Sequence, residues 1–397
     1  MIDPKHRKIL CLNNIAQIGL DKFRTGYELV EIKNANEAAG ILVRSADMLS
    51  MDFHDGLRAI ARAGAGVNNI PIEKCSEQGI VVFNTPGANA NSVKELVIAG
   101  LLLASRDIFG GINWVRENAS ESEIAKLTEK AKKQFAGHEI YNRTLGVIGL
   151  GAIGVRVANA AVALGMNVLG YDPFLSVKSA WMLSPMIKHA DTVEELYSGC
   201  DFITLHVPAL DSTRGMINSE AISRMKTGIK ILNFARDVLV DEKALTEALK
   251  SGKVAKYISD FPNKISANLP NAIILPHLGA STEEAEDNCA VMAVEQMQDY
   301  LDNGNITNSV NYPELNAGKC ETDARVAILH RNIPNMLSQI TSFFGQNGLN
   351  IENLQNKARG AYAYTLLDIS HAMPVDTVER LKEIEGVLRV RRVFENL

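Results

Sequence analysis

Thr144-Leu145-Gly146-Val147-Ile148-Gly149-Leu150-Gly151-Ala152-Ile153-Gly154 leads from a short apolar run straight into the alanine-rich segment Val155 to Leu164. The first part is predicted to be a strand and the second a helix, so G-x-G-x-x-G falls at the turn between them, the context of a dinucleotide-binding βαβ unit. Each glycine has its own task. Gly149 allows the sharp turn, Gly151 removes a side chain where a pyrophosphate would approach, and Gly154 lets helix and strand pack. The helix start, with Ala152 and Ile153, presents backbone N–H groups to the phosphates. Asp172 ends the following run, Asn167 to Tyr171, about 20 residues on, where a carboxylate can bind both adenosine ribose hydroxyls and repel a 2'-phosphate; NAD is expected rather than NADP.

On both sides of this unit the same rhythm continues. Apolar runs at 202–205, 230–234 and 272–275 follow it, and runs at 8–12, 40–43, 59–63 and 79–83 precede it, separated by helix-like or polar stretches, the pattern of parallel α/β sheets. Ser92 with Glu95 is read as a capping box opening a long helix, Thr192 with Glu195 as a second, and Ser281 with Glu284 as a third. A helix is expected over 283–301, ending in Asp302-Asn-Gly-Asn305. The polar, aperiodic stretch 313–323 reads as a linker. Beyond it, the order strand, helix, strand, strand, helix, strand is a ferredoxin-like pattern.

The chain has 397 residues, 46% of them hydrophobic and 22% charged, as expected of a soluble multidomain protein. A net charge of -5, with no basic run longer than Lys132-Lys133, speaks against nucleic acid as a partner. No apolar stretch reaches the ~20 residues a membrane helix needs, and Met1 to Lys5 carry no targeting pattern, so no membrane association and a cytoplasmic location are expected. The five scattered cysteines read as reduced thiols, with no metal-ligand spacing and hence no metal.

Asn233-Phe-Ala235-Arg236 followed by Val240-Asp-Glu242, and Pro276-His277-Leu-Gly279-Ala-Ser-Thr282, resemble the paired signatures of the D-2-hydroxyacid dehydrogenase family. The resemblance extends over nearly the whole chain and is closest to the short-type branch that oxidises 3-phosphoglycerate and ends in an ACT domain. It implies a substrate-binding domain over 1–94 and 283–312, a Rossmann domain over 95–282, the linker at 313–323 and an ACT domain over 324–397. The fold class is then α/β, two Rossmann-like or flavodoxin-like parallel-sheet domains plus a ferredoxin-like domain.

The same resemblance assigns residues. Arg44, Ser45, Gly64, Ala65, Gly66 and Asn89 would line the substrate pocket, with Lys132 or Lys133 on the phosphate. Val207, Pro208, Ala235, Asp260 and Gly279 would border the cofactor, Asp260 accepting from the nicotinamide carboxamide. Read alone, Arg44 is an exposed strand-end arginine, Asn89 a turn residue and Arg236 a surface arginine.

Oxidising a 2-hydroxy acid requires a base for the hydroxyl proton and an anchor for the carboxylate. His277 suits the first role because imidazole titrates near neutrality, and Arg236 the second because its planar fork matches a carboxylate. Most of the family pairs the histidine with a glutamate a few residues after the aspartate, whereas Phe261-Pro-Asn-Lys-Ile-Ser-Ala-Asn-Leu269 contains no acid. Three arrangements stay open: His277 acting without a carboxylate, Asp260 taking that second role, or Glu283 or Glu286 supplying it. Without a partner, activity in the oxidative direction is expected to persist to lower pH than in relatives.

His330-Arg-Asn332-Ile-Pro334-Asn335 and Gly348-Leu-Asn350 resemble the ACT segments that bind an amino acid, with His330, Asn332 and Asn350 at the L-serine positions and Asn335 replacing a glycine. Feedback inhibition by L-serine and a homodimer or homotetramer would follow. Two other readings remain: reduction of glyoxylate, hydroxypyruvate or a 2-hydroxyglutarate-like acid by the same machinery, and an NADH-sensing binding protein without turnover.

Overall fold

The protein is described here by a computed structural model covering residues 7–371, 373–374 and 376–395. The targeting reading of Met1 to Lys5 and positions 372, 375, 396 and 397 of the expected ACT segment lie outside the described residues. The chain divides into two compact units, one running up to Ala88 and resuming at Glu286, the other spanning Asn89–Ala285.

In the first unit, β1 (Arg7–Cys11), β2 (Tyr27–Val30), β3 (Gly40–Val43), β4 (Ala59–Arg62) and β5 (Val81–Phe83) form a parallel sheet in the order β2-β1-β3-β4-β5. Strand β2 escaped the sequence reading because it is a four-residue edge strand, Tyr-Glu-Leu-Val, with only one neighbour and Glu28 and Leu29 exposed. The order reverses between β1 and β3, and such a switch point opens a crevice at the carboxyl ends of the strands.

The second unit carries β6 (Thr144–Ile148), β7 (Asn167–Tyr171), β8 (Lys188–His189), β9 (Phe202–Leu205), β10 (Ile229–Asn233), β11 (Val254–Ser259) and β12 (Ala272–Ile274). They are all parallel, in the order β12-β11-β10-β9-β6-β7-β8, with the switch between β6 and β9. The apolar runs foreseen at 145–149, 202–205 and 230–234 are the central strands, which are buried on both faces and therefore read as continuous hydrophobic segments.

The capping box at Thr192 and Glu195 is formed, Thr192 N–H donating to Glu195 Oε1 at 3.1 Å. The other two are corrected. The long helix runs Ala90–Ser105, so Ser92 lies inside it with its hydroxyl buried, and Glu95 accepts from Asn91 at 2.8 Å. The helix Glu283–Asn303 begins one residue later than the Ser281–Glu284 pairing requires. Thr282 accepts from Ala285 N–H at 3.2 Å, and Ser281 Oγ donates to His277 O at 3.4 Å.

The last part of the first unit is a βαββαβ sheet: β13 (Ala324–Arg331), β14 (Ile351–Arg359), β15 (Tyr362–Ile369) and β16 (Val387–Glu395), antiparallel in the order β14-β15-β13-β16. That is the ferredoxin-like arrangement. Alternation along β13 sends Val326 and Ile328 into a core with Ile340 and Phe344 of the helix Met336–Gln346, while Ala327 and Leu329 join Tyr300, Leu301 and Tyr312. The stretch read as a linker is thus held down. Leu315 is fully buried, and the buried Arg325 guanidinium donates to Gly318 O at 2.6 Å and Asn303 O at 3.0 Å while bridging both Asp368 oxygens, at 2.5 and 2.8 Å. Polar composition marked 313–323 as a linker, but carbonyls within it are what the arginine uses.

Candidate active site

Strand β6 delivers the chain to Gly149, whose φ of +92° is left-handed backbone that glycine adopts without strain. A Cβ there would lie 2.6 Å from His206 O, across the switch point. A Cβ on Gly154 would lie 1.9 Å from Gly149 O, whereas one on Gly151 would meet nothing within 4 Å. The first and third glycines are required by packing and the second faces open space, as a pyrophosphate demands. Gly151 is the N-cap of the helix Ala152–Ala163, so Ala152 and Ile153 lie in its first turn, where N–H groups have no partner within the helix.

Asp172 closes the far side of this crevice. Its Oδ2 accepts from Leu150 N–H at 2.8 Å and its Oδ1 from Phe174 N–H at 2.9 Å, which fixes the carboxylate beside the glycine turn. A cavity of about 700 Å³ opens here, lined by Gly149, Gly151, Asp172, Val207 and Pro208 among others. His206, which sequence reasoning passed over, also lines it. Burial pushes this imidazole down to about 3, and Nε2 lies 3.0 Å from Thr204 Oγ1, so a neutral ring is built into the wall. Its position in Leu205-His-Val-Pro208, directly after a buried strand, was the available signal.

At the other end, Asp260 is 1% exposed. Its Oδ2 accepts from Gly279 N–H at 2.9 Å, its backbone carbonyl accepts from His277 N–H at 3.0 Å, and its Oδ1 is buried without a partner among the described residues. Burial pushes the carboxyl up, opposed by the Gly279 hydrogen bond and the nearby His277 and Arg236. An orphaned buried acceptor is costly, and an amide donor at Oδ1 would satisfy it. A nicotinamide carboxamide fits that requirement.

Phe261 brings the two expected catalytic side chains together: its ring centroid is 4.8 Å from that of His277 and 5.9 Å from Arg236 Cζ. Asn233, fully buried, ties the arginine loop, donating to Arg236 O at 2.7 Å and accepting from Arg236 N–H at 3.3 Å. Arg236 itself is exposed, with one N–H on Ala235 O at 2.6 Å. Among the described residues no carboxylate hydrogen-bonds or ion-pairs with the His277 ring, which packs on Phe261 instead. Residue 277 has φ +51°, an uncommon conformation for a non-glycine residue. Asp260 is committed to Gly279, and Glu286 to Arg44, Nη2 to Oε1 at 2.6 Å.

In the first unit, Asn13 organises the switch point. Its Oδ1 accepts from the N–H groups of Arg44, Ser45 and Ala46 at 2.9, 3.0 and 2.9 Å, a role sequence reasoning missed because a lone asparagine after a strand carries no motif. Arg62 Nε donates to Arg44 O at 2.9 Å and Nη1 to Gly66 O. Gly64 O accepts from Thr85 N–H at 3.1 Å, and Ala65 O from Asn84 Nδ2 at 2.7 Å. Asn89 caps the helix Ala90–Ser105 in the second unit without a side-chain cap bond. Lys132 pairs with Glu129, and Lys133 is exposed.

In the C-terminal sheet, Asn332 and Asn350 are exposed, donating to Gly360 O at 3.1 Å and Glu352 Oε1 at 2.7 Å. His330 differs from expectation. Strand alternation turns it inward to 2% exposure, with Nδ1 2.8 Å from Arg331 O and Nε2 2.9 Å from Thr365 Oγ1, so neither nitrogen is offered to an effector. Asn335 has φ +69°, which explains why a glycine is common there and why asparagine serves.

Taken together, the doubly wound sheet, the glycine turn and the two aspartates define a dinucleotide-binding α/β protein. Residues 98–279 match the family described as D-isomer specific 2-hydroxyacid dehydrogenase, NAD binding domain. A D-3-phosphoglycerate dehydrogenase from Haemophilus influenzae is 31% identical, with 94% of this chain and 92% of that relative covered. One from Methanocaldococcus jannaschii is 38% identical over 83% of this chain. The chain belongs to the D-isomer specific 2-hydroxyacid dehydrogenase family. It spans 63% of the length of the Methanocaldococcus relative and 56% of one from Synechocystis. An NAD+-bound 3-phosphoglycerate dehydrogenase structure from Entamoeba histolytica aligns at TM-score 0.59 and 28% identity, covering 78% of this chain and all of that one. Among the described residues no helix is long and apolar enough to cross a membrane.

Proposed function

We propose that this protein is a cytoplasmic NAD-dependent dehydrogenase that oxidises 3-phosphoglycerate at C2 to 3-phosphohydroxypyruvate, the entry step of L-serine synthesis. The observation that carries the reading is the grouping of Asp260, Arg236 and His277 around Phe261, at the carboxyl ends of the strands that also present the glycine turn.

Gly149, Gly151, Ala152, Ile153, Gly154 and Asp172 would hold the diphosphate and adenosine ribose; Val207, Pro208, Ala235, Asp260, His277 and Gly279 would border the nicotinamide. NAD, when bound, supplies the hydride acceptor. His277 takes the hydroxyl proton on a ring nitrogen with no carboxylate partner, Phe261 holding the ring by packing. Arg236 places its guanidinium on the substrate carboxylate and polarises the forming carbonyl, in a loop fixed by Asn233. Arg44, Ser45, Gly64, Ala65, Gly66 and Asn89 would contact the substrate, and Lys132 or Lys133 its phosphate. L-serine would act at Asn332 and Asn350 of an ACT-type C-terminal domain in a homodimer or homotetramer; the His330 role foreseen from the sequence is dropped.

The test is initial NADH formation with NAD and 3-phosphoglycerate beside D-lactate, D-glycerate and 2-hydroxyglutarate, with and without L-serine. Preference for 3-phosphoglycerate is expected, together with inhibition by serine. No turnover with any of these acids would overturn the reading.

A further inference from the structure

Where β16 meets the amino-terminal edge of the first parallel sheet, four arginines converge: Arg7 at the start of β1, Arg58 just before β4, and Arg389 and Arg391 on β16. This is the opposite edge of that sheet from the Arg44 loop. Arg7 bridges Asp302 and donates to Tyr27 Oη at 2.9 Å. Arg389 is spent on backbone carbonyls, those of Gln78, Asp55 and Leu57 at 3.0, 3.0 and 2.6 Å. Among the described residues no carboxylate lies within ion-pair distance of Arg58, Arg389 or Arg391, so Asp302, which Arg24 also approaches at 3.6 Å, is the one acid paired into the group.

The buried members are not satisfied either. Arg391 is 5% exposed; it lies with Cζ 4.3 Å from the Tyr300 ring centroid and uses only Nη2, on Leu301 O at 3.3 Å. Its Nε and Nη1, the Nε of Arg7 and the hydroxyl of the fully buried Tyr300 are closed off from solvent with no partner among the described residues. Among the described residues Arg58 makes no side-chain hydrogen bond, and burial with Arg391 and Arg7 nearby holds it down to about 10. Unpaired buried cations and donors are expensive, and folds that retain them supply a counter-charge. Every unmatched arginine group here is a donor, so the missing partner is an anion; guanidinium forks favour an oxyanion that accepts from several of them at once.

We propose that this seam between the first sheet and the C-terminal sheet binds one free inorganic oxyanion of the phosphate class, held by Arg58, Arg391, Arg7 Nε and the Tyr300 hydroxyl. Because it joins β1 and β4 to β16, occupancy ties the C-terminal sheet to the parallel sheet.

The experiment is thermal unfolding of the full chain in potassium phosphate against potassium chloride at matched ionic strength, with glycerol 3-phosphate as a third arm. A saturable rise of about 2–4 °C at ten times the midpoint is expected with inorganic phosphate alone. The midpoint should increase about ten-fold or more in Arg58→Gln and in Arg391→Gln, and stay as in wild type for Lys250→Gln, exposed on the helix Glu242–Ser251 of the second unit. Arg58 is only partly buried, so its variant carries the test if Arg391→Gln does not fold. An equal rise in chloride, an unchanged phosphate midpoint in Arg58→Gln, or a response to the ester alone would each overturn the proposal. The readout is melting, so it stands or falls separately from the substrate assignment.

Discussion

Replacing Gly154 and Gly151 separately by alanine should damage the protein in opposite ways. At Gly154 the new methyl would sit 1.9 Å from Gly149 O and 2.9 Å from its carbonyl carbon, with Val147 Cγ1 at 3.5 Å. Two of these atoms are backbone and cannot rotate aside, so the helix Ala152–Ala163 must lift off β6 by more than an ångström. Overpacking of this kind costs about 3 kcal/mol, and alanine's better helix propensity returns about 1, leaving roughly 2 kcal/mol. For a unit of this size that is a fall in Tm of roughly 4–8 °C. Gly151, with φ -74° and ψ -161°, has a backbone that alanine adopts and empty space around its Cβ. Stability should change by no more than about 0.5 kcal/mol, while NADH, whose diphosphate would use that space, should bind at least about ten-fold more weakly. Circular-dichroism melts and NADH fluorescence titrations of both variants are the assay. A Gly154→Ala protein that melts with wild type, or a Gly151→Ala protein that binds NADH as wild type does, would refute the packing argument.

Asp260→Asn should weaken NADH binding about ten-fold, since an amide nitrogen at the Oδ1 position would face a donor. It also carries a pH signature. Burial raises this carboxyl, so between about 4 and its raised value the folded protein holds a proton that the unfolded chain has released, and stability falls as pH rises through that window. The variant lacks that fall; a wild-type-minus-variant stability difference that stays flat there would contradict the assignment. His277→Gln should lower kcat by about 10²–10⁴ with NADH binding retained, and an unchanged kcat would remove the general-base role. Asp368→Ala leaves Arg325 buried without its carboxylate and should cost about 3 kcal/mol in urea unfolding; a loss under about 1 kcal/mol would mean that the carbonyls of Gly318 and Asn303 suffice. Asn13→Ala removes the shared acceptor of the Arg44–Ala46 amides and should raise KM for the acid more than it lowers kcat, with the reverse split counting against that loop as substrate wall.

Local chemistry was legible without the fold. The glycine turn at Gly149, Gly151 and Gly154 and the strand-end position of Asp172 follow from backbone freedom and hydrophobic periodicity, which depend on residues a few positions apart. The βαββαβ order after residue 324 was readable for the same reason. Contacts distant in sequence were not. The sequence left three arrangements open for His277, with no carboxylate, with Asp260, or with Glu283 or Glu286; the tertiary structure packs its ring on Phe261 and commits Glu286 to Arg44, because strand ends and helix starts remote in the chain decide which side chains meet. Polar composition suggested a linker at 313–323, yet Arg325 donates to the carbonyls of Ala317 and Gly318 within it. His330 matched a ligand position by motif, but period-two alternation in β13, whose phase is set by pairing with β15 and β16, turned it into the core. Likewise, Arg7, Arg58 and Arg391 are unremarkable in the sequence and become an unsatisfied cationic cluster only once β1, β4 and β16 are brought to one seam.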